Sequence, residues 1–194
     1  MDDPLIWQLL LQVVLIAINA LFAMTEIAVI SLNESKVERL AEEGDKGAKK
    51  LLYLTRDSSR FLSTIQVVIT LAGFLGSAFA ADNFADRFVS LLQGWGVTMN
   101  PETLNSIAVV VTTLILSYFT LIFGELVPKR VAQKNPERVA RRVAGFIRAC
   151  SIVFKPIVWF LTKSVNAVLR LMRIDPNDTE EDVSEDDIRL MGDI

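Results

Sequence analysis

No histidine occurs in the 194 residues, and cysteine occurs once, at Cys150. Without imidazole, His-ligated zinc and the usual general base of hydrolases are excluded, and a single thiol forms neither an intramolecular disulfide nor a thiolate metal cluster. Catalysis would have to rest on carboxylates, lysine or hydroxyls, and no nucleophile-and-base pair is recognisable among them, so no enzymatic activity is expected. The start, Met1-Asp2-Asp3-Pro4, lacks the basic residues of a signal peptide, and the apolar run behind it is too long for an h-region. A strong charge imbalance is lacking as well: 20 Lys and Arg stand against 23 Asp and Glu, for a net charge of −3. No nucleic-acid partner is expected.

What is present is apolar length. The chain is 52% hydrophobic with a mean hydropathy of +0.40, yet 22% charged, a balance that suits a membrane domain with cytosolic flanks. Uncharged runs cover Pro4 to Thr25, Phe61 to Ala81 and Thr103 to Gly124, each long enough to cross a bilayer as a helix. The expected fold is therefore an all-α membrane protein with three transmembrane helices, at about 5–32, 61–81 and 103–128, plus amphipathic juxtamembrane helices on the cytoplasmic side.

Charge between the runs sets an orientation. Residues 33–60 carry Lys36, Arg39, Lys46, Lys49, Lys50, Arg56 and Arg60, whereas the polar excursion at 82–102 carries Arg87 alone. Lys- and Arg-rich short loops stay in the cytoplasm, which predicts an external amino terminus and a cytoplasmic carboxyl terminus in the cell inner (plasma) membrane. Ser35-Lys36-Val37-Glu38 has the form of a capping box opening a short helix, Gly44-Asp45 breaks the pattern, and Asn100-Pro101 reads as an N-cap with proline at the first helical position. From about 137 to 174, basic residues recur at helical spacing opposite Val139, Val143, Phe146 and Ile147, and again opposite Ile157, Phe160 and Leu161. This predicts a belt in the headgroup plane of the lipid bilayer. Residues 175–194 read as an acidic linker, and the helical pattern starting at Ile188 and Met191 predicts a continuation beyond Ile194.

Each span offers a polar face. In the first, Gln12, Asn19 and Glu26 recur every seven residues, beside Thr25; Gln12 reads as helix-to-helix glue, and the others as glue or as part of a pathway. In the second, Ser63, Gln66, Thr70, Gly73 and Ser77 follow at helical spacing, either for close packing or to offer oxygens to an ion. The third carries Thr113, Ser117, Thr120 and Gly124 and ends in Gly124-Glu125-Leu126-Val127-Pro128-Lys129. Pro128 has no amide proton and its ring clashes with the carbonyl four residues back, so the Gly124 oxygen is left free beside the Glu125 carboxylate. Unpaired backbone survives in a membrane only where protein or a cavity receives it, which points to a cation site. The alternative is an intrahelical Glu125–Lys129 pair that anchors the span, worth roughly 0.2–0.5 kcal/mol on an exposed helix.

Asn-Ala-Leu-Phe-Ala-Met-Thr-Glu at 19–26, the Gly-Glu-Leu-Val-Pro-Lys run and the basic stretch ending in an acidic linker resemble the transmembrane domain of the CNNM/CorC family of divalent-cation transporters. The resemblance implies a homodimer of three-span protomers, cytosolic CBS domains following in the full-length chain, and export of Mg²⁺ coupled to Na⁺ entry. It implies a metal site of Glu125 and Gly124 with oxygens from the first two spans, at positions held here by Asn19, Ala23 and Thr25 and by Thr70 and Gly73. Family members carry Ser and Asn there, so other cations, polyamines among them, are an alternative cargo, as is a non-transporting scaffold for the CBS domains.

Overall fold

The computed structural model describes residues 3–176. Among them every regular element is helical. The protein is an all-α membrane protein whose helices at Leu5–Ile30, Ser58–Gly94 and Pro101–Lys134 are long and apolar enough to cross a bilayer.

Helix α1 (Asp3–Ile30) is followed by α2 (Glu34–Glu42) and α3 (Lys46–Arg56), the expected short pair. The capping box does not form: Asn33 caps α2 instead, its side chain accepting the Lys36 amide, so Glu34 and Ser35 are already inside the helix. Gly44 takes φ +96°, which glycine adopts without strain, and Asp45 then caps α3 by accepting the Gly47 and Ala48 amides.

Helix α4 (Ser58–Gly94) corrects the reading of 82–102 as a polar excursion. Its 37 residues rise about 55 Å, well beyond the hydrocarbon core, because Phe84, Ala85, Phe88, Val89 and Leu92 prolong the helical pattern past Asp82. Helix α5 (Pro101–Leu121) opens as expected, with the Asn100 side chain accepting the Glu102 amide and Pro101 in the first turn. It runs into a π turn (Ile122–Leu126) and then α6 (Val127–Lys134). Helices α7 (Pro136–Val153) and α8 (Lys155–Leu171) make up the amphipathic region.

The chain divides into two units, 1–151 and 152–194. In the first, α1 packs against α4, the π turn and α6, and α4 packs against α5. Small residues let the spans approach: Ala23, Ala28, Ala72, Gly76, Ala80 and Ala108 are all buried. The face α7 buries is Ala140, Ala144, Ile147 and Ser151, one strip over from the Val139/Val143/Phe146 side expected to enter lipid. Arg141 joins it to the α2–α3 turn, with Nη1 and Nη2 donating to the two Asp45 oxygens at 3.1 and 2.9 Å. Arg148 lies over the Tyr53 ring, and Phe146 meets Phe22. In the second unit α8 is amphipathic, with Lys163 over the Trp159 ring. The acidic linker from residue 177 onward lies outside the described residues.

Candidate functional site

The π turn follows from Pro128. With no amide proton at 128, the Gly124 carbonyl has no α-helical donor, and the ladder re-forms one residue longer, the Val127 amide bonding to the Ile122 oxygen. The released Gly124 oxygen accepts a hydrogen bond from Asn19 Nδ2 at 3.0 Å. Glycine suits this close approach, since a Cβ at 124 would stand 3.2 Å from Asn19 Nδ2, tight enough that Asn19 must give by a few tenths of an ångström, and 3.5 Å from the Ile16 oxygen.

One residue on, Glu125 turns toward the C-terminal end of α1. Lys129 Nζ lies 3.1 Å from Glu125 Oε1 and 2.9 Å from Glu26 Oε2, so one ammonium is held by carboxylates of two different elements. The three side chains are 25%, 34% and 23% exposed for Lys129, Glu125 and Glu26. Two carboxyl groups around one ammonium offer more acceptor oxygens than it fills, an arrangement able to receive a further cation or an exchange partner.

The other expected residues divide into two groups. Thr25 is fully buried beside Glu26, its hydroxyl donating to its own helix at Leu21 O, 2.7 Å away. Gly73 lines, with Asn19, Gln12, Gly76 and Thr120, a void of about 10 Å³, roughly the room one water needs. Gln66 and Thr70 are not brought to the acid pair. They are exposed and bond each other, Gln66 Nε2 to Thr70 Oγ1 at 3.3 Å. On α4 the buried positions are Phe61, Thr64, Ile65, Val68, Ala72, Gly76, Ala80 and Ala85, and at 3.6 residues per turn the Gln66/Thr70 stripe lies roughly 140° from the centre of the row Phe61 to Ala80. Ser117 is likewise exposed on α5.

Sequence reasoning overlooked Gln8 and Asn83. Gln8 precedes Gln12 by one turn and donates to Asn83 Oδ1 at 2.7 Å, while Gln12 donates to the Gly76 oxygen at 3.0 Å. Gln8, Gln12, Asn19 and Glu26 thus form one stripe along α1, and each rung has a partner on α4, the π turn or α6. The stripe rises about 27 Å, close to the thickness of a hydrocarbon core. Among the described residues no three Asp, Glu, Cys or His side chains converge as they would around a metal ion.

Outside the spans, Asp45 is held down to about 2 from its ordinary 3.8, chiefly by the Arg141 hydrogen bonds and then by the Ala48 and Gly47 amides. Glu137 is also lowered, by Lys36 and Arg141.

The fold and this arrangement define a multi-pass helical membrane protein with a polar stripe and an acid pair inside its bundle. The family model described as the cyclin M transmembrane N-terminal domain matches residues 10–194, and the chain belongs to this CNNM family. A UPF0053 protein of Synechocystis sp. is 33% identical over 92% of the chain, and a polyamine export protein of Haemophilus influenzae is 29% identical over 90%. A UPF0053 inner membrane protein of Escherichia coli is 26% identical over 81%. The chain spans 39%, 40% and 33% of those three relatives.

Proposed function

We propose that the protein exports a cation, which takes the place of the Lys129 ammonium between Glu26 and Glu125. The observation that carries this reading is the ammonium bracketed at 2.9 and 3.1 Å by two carboxylates from different helices. A pair that accepts one primary ammonium is dimensioned for another, which supports an alkylammonium cargo of the polyamine kind, the cargo named for the Haemophilus influenzae relative. Mg²⁺ is the second reading, supported by the Asn19 amide and Gly124 carbonyl next to Glu125. Mg²⁺ keeps several waters and uses one or two carboxylates, and Na⁺ entry would then be the coupling flow.

The protein works in the inner membrane as a homodimer with its amino terminus outside. The second copy would cover the Gln66/Thr70 stripe, which otherwise faces lipid and whose amide and hydroxyl can both donate and accept across a two-fold axis. CBS domains would follow in the full-length chain. The test is flux from proteoliposomes containing the full-length protein, with radiolabelled putrescine and with Mg²⁺ read by a dye. Glu125→Gln is expected to abolish efflux while the dimer survives. Undiminished efflux of both cations by that variant overturns the site, and absence of both fluxes in the wild type supports a scaffold for the CBS domains instead.

A further inference from the structure

Two buried side-chain atoms among the described residues accept no hydrogen bond from the protein, and both are amide oxygens on the same face of α1: Gln8 Oε1 and Gln12 Oε1. Their orientation is forced. The Gly76 carbonyl can only accept, so the Gln12 group facing it must be Nε2, which turns Oε1 away. Likewise the Phe79 carbonyl fixes Asn83 by accepting from Nδ2 at 2.8 Å. Asn83 Oδ1 is thereby presented to Gln8, whose Nε2 donates to it and whose oxygen is left over. Flipping either glutamine would set oxygen against oxygen. Both leftovers are therefore acceptors, one helical turn apart, in the half of the bundle away from Glu125. Gln12 is only 6% exposed.

From these contacts we infer that Gln12, with Gln8 as the next rung, forms a second cation station for the exported alkylammonium. This inference rests on the export reading above. A buried oxygen without a donor is unfavourable in a membrane and is satisfied by an N–H of positive charge. Two spaces adjoin Gln12: the void of about 10 Å³ it shares with Gly76, and a crevice of about 810 Å³ whose other walls include Leu9, Val13, Ile16, Ala80 and Phe84, apolar surface suited to the methylenes of a molecule whose N–H reaches the void. Arg87 lines the same crevice seven residues beyond Ala80, about 10 Å along α4, and its charge keeps a bound ammonium at the Gln12 end.

The experiment uses the full-length protein in nanodiscs and labelled putrescine, with Mg²⁺ alone as a parallel probe. Glu125→Gln should retain a weaker putrescine site, and adding Gln12→Leu should lower its affinity at least tenfold. Because Gln12→Leu also loses the bond to Gly76, Gly76→Ala serves as the second variant. Its Cβ would stand 3.3 Å from Gln12 Oε1, crowding the oxygen while leaving the Nε2 bond in place, and it should weaken binding severalfold. Gln12→Glu should tighten binding about tenfold. The station is overturned by any of three results: Glu125→Gln binds no putrescine, Gln12→Leu and Gly76→Ala bind as well as their parent, or Mg²⁺ alone occupies the site. An ordered water as the sole occupant of Gln12 Oε1 in a putrescine-soaked map overturns it too. In flux measurements Gln12→Leu should slow putrescine efflux at least fivefold. Wild-type protein that moves no putrescine rejects the export reading itself, while the binding results still decide the station.

Discussion

Helices α1 and α4 each carry a polar stripe, yet the two stripes face in opposite ways. On α1 the stripe of Gln8, Gln12, Asn19 and Glu26 faces the other spans, and every rung is bonded or ion-paired across a helix boundary. On α4 the Gln66/Thr70 stripe is exposed, and its hydrogen bond stays within the helix. The difference teaches that polar periodicity establishes that a helix has a distinct face, without saying what the face meets. Small residues decide that: the Ala72/Gly76/Ala80 row allows close approach to α1 and so turns the polar row of α4 away.

Substitution should separate the two stripes. The largest effect is expected from Glu26→Gln, which removes one of the two acids around Lys129; cation efflux should fall at least thirtyfold in a protein that still purifies as folded oligomer. If Thr70→Val lowers efflux as severely, the α4 stripe lines the pathway after all and the contrast collapses. Next comes Gly124→Ala. Its Cβ meets Asn19 at 3.2 Å, so Asn19 must give by a few tenths of an ångström and its bond to the Gly124 carbonyl is strained. A loss of about 1–3 kcal/mol in stability is expected by chemical denaturation in detergent.

A smaller effect concerns the Asp45–Arg141 clamp. The Asp45 carboxyl is depressed in the folded state, so its contribution is complete above 3.8 and is lost as pH falls through about 2. A Cβ at Gly47 would run into the Arg141 guanidinium. Gly47→Ala should therefore raise the pH at which the α2–α3 amides lose hydrogen-exchange protection, with little change at pH 7. An unchanged acid midpoint would show that Arg141 is not what holds Asp45. Smallest of all, Gln66→Leu should leave efflux per protein within twofold and shift only the monomer–dimer balance, read by single-molecule photobleaching in liposomes.

Much of this was legible from residue order. Three uncharged runs sufficed for three spans, because the bilayer demands length and internally paired backbone, and Pro128 sufficed to free the Gly124 oxygen. That Asn19 receives this oxygen was not legible, since a period of seven places Asn19 on a face without naming the opposing helix. The α4 extension was missed because Asp82, Asp86 and Arg87 read as an exit from the membrane, although they interrupt apolarity without interrupting helix. The Asn33 cap went unseen for a related reason: Asn33 and Ser35 both precede a helical pattern, and only backbone geometry shows which lies outside it. The capture of Lys129 by a carboxylate on α1 was hidden as well. Spacing within one helix offers the Glu125 partner alone, and Glu26 is 103 residues away.

The Lys129 tether also determines how the acid pair responds to concentration. An ammonium fixed four residues from one carboxylate never diffuses away, so on the proposed export reading an arriving cation would meet an occupied seat and would have to trade places. Uptake would then be an exchange whose opposing reactant has a constant local concentration, on the order of millimolar or higher for a short tether. Cargo should be held loosely and saturate late, with the returning lysine evicting it once it moves on. Net charge in the seat then changes little through the cycle, which spares the bilayer an uncompensated pair of carboxylates at any step.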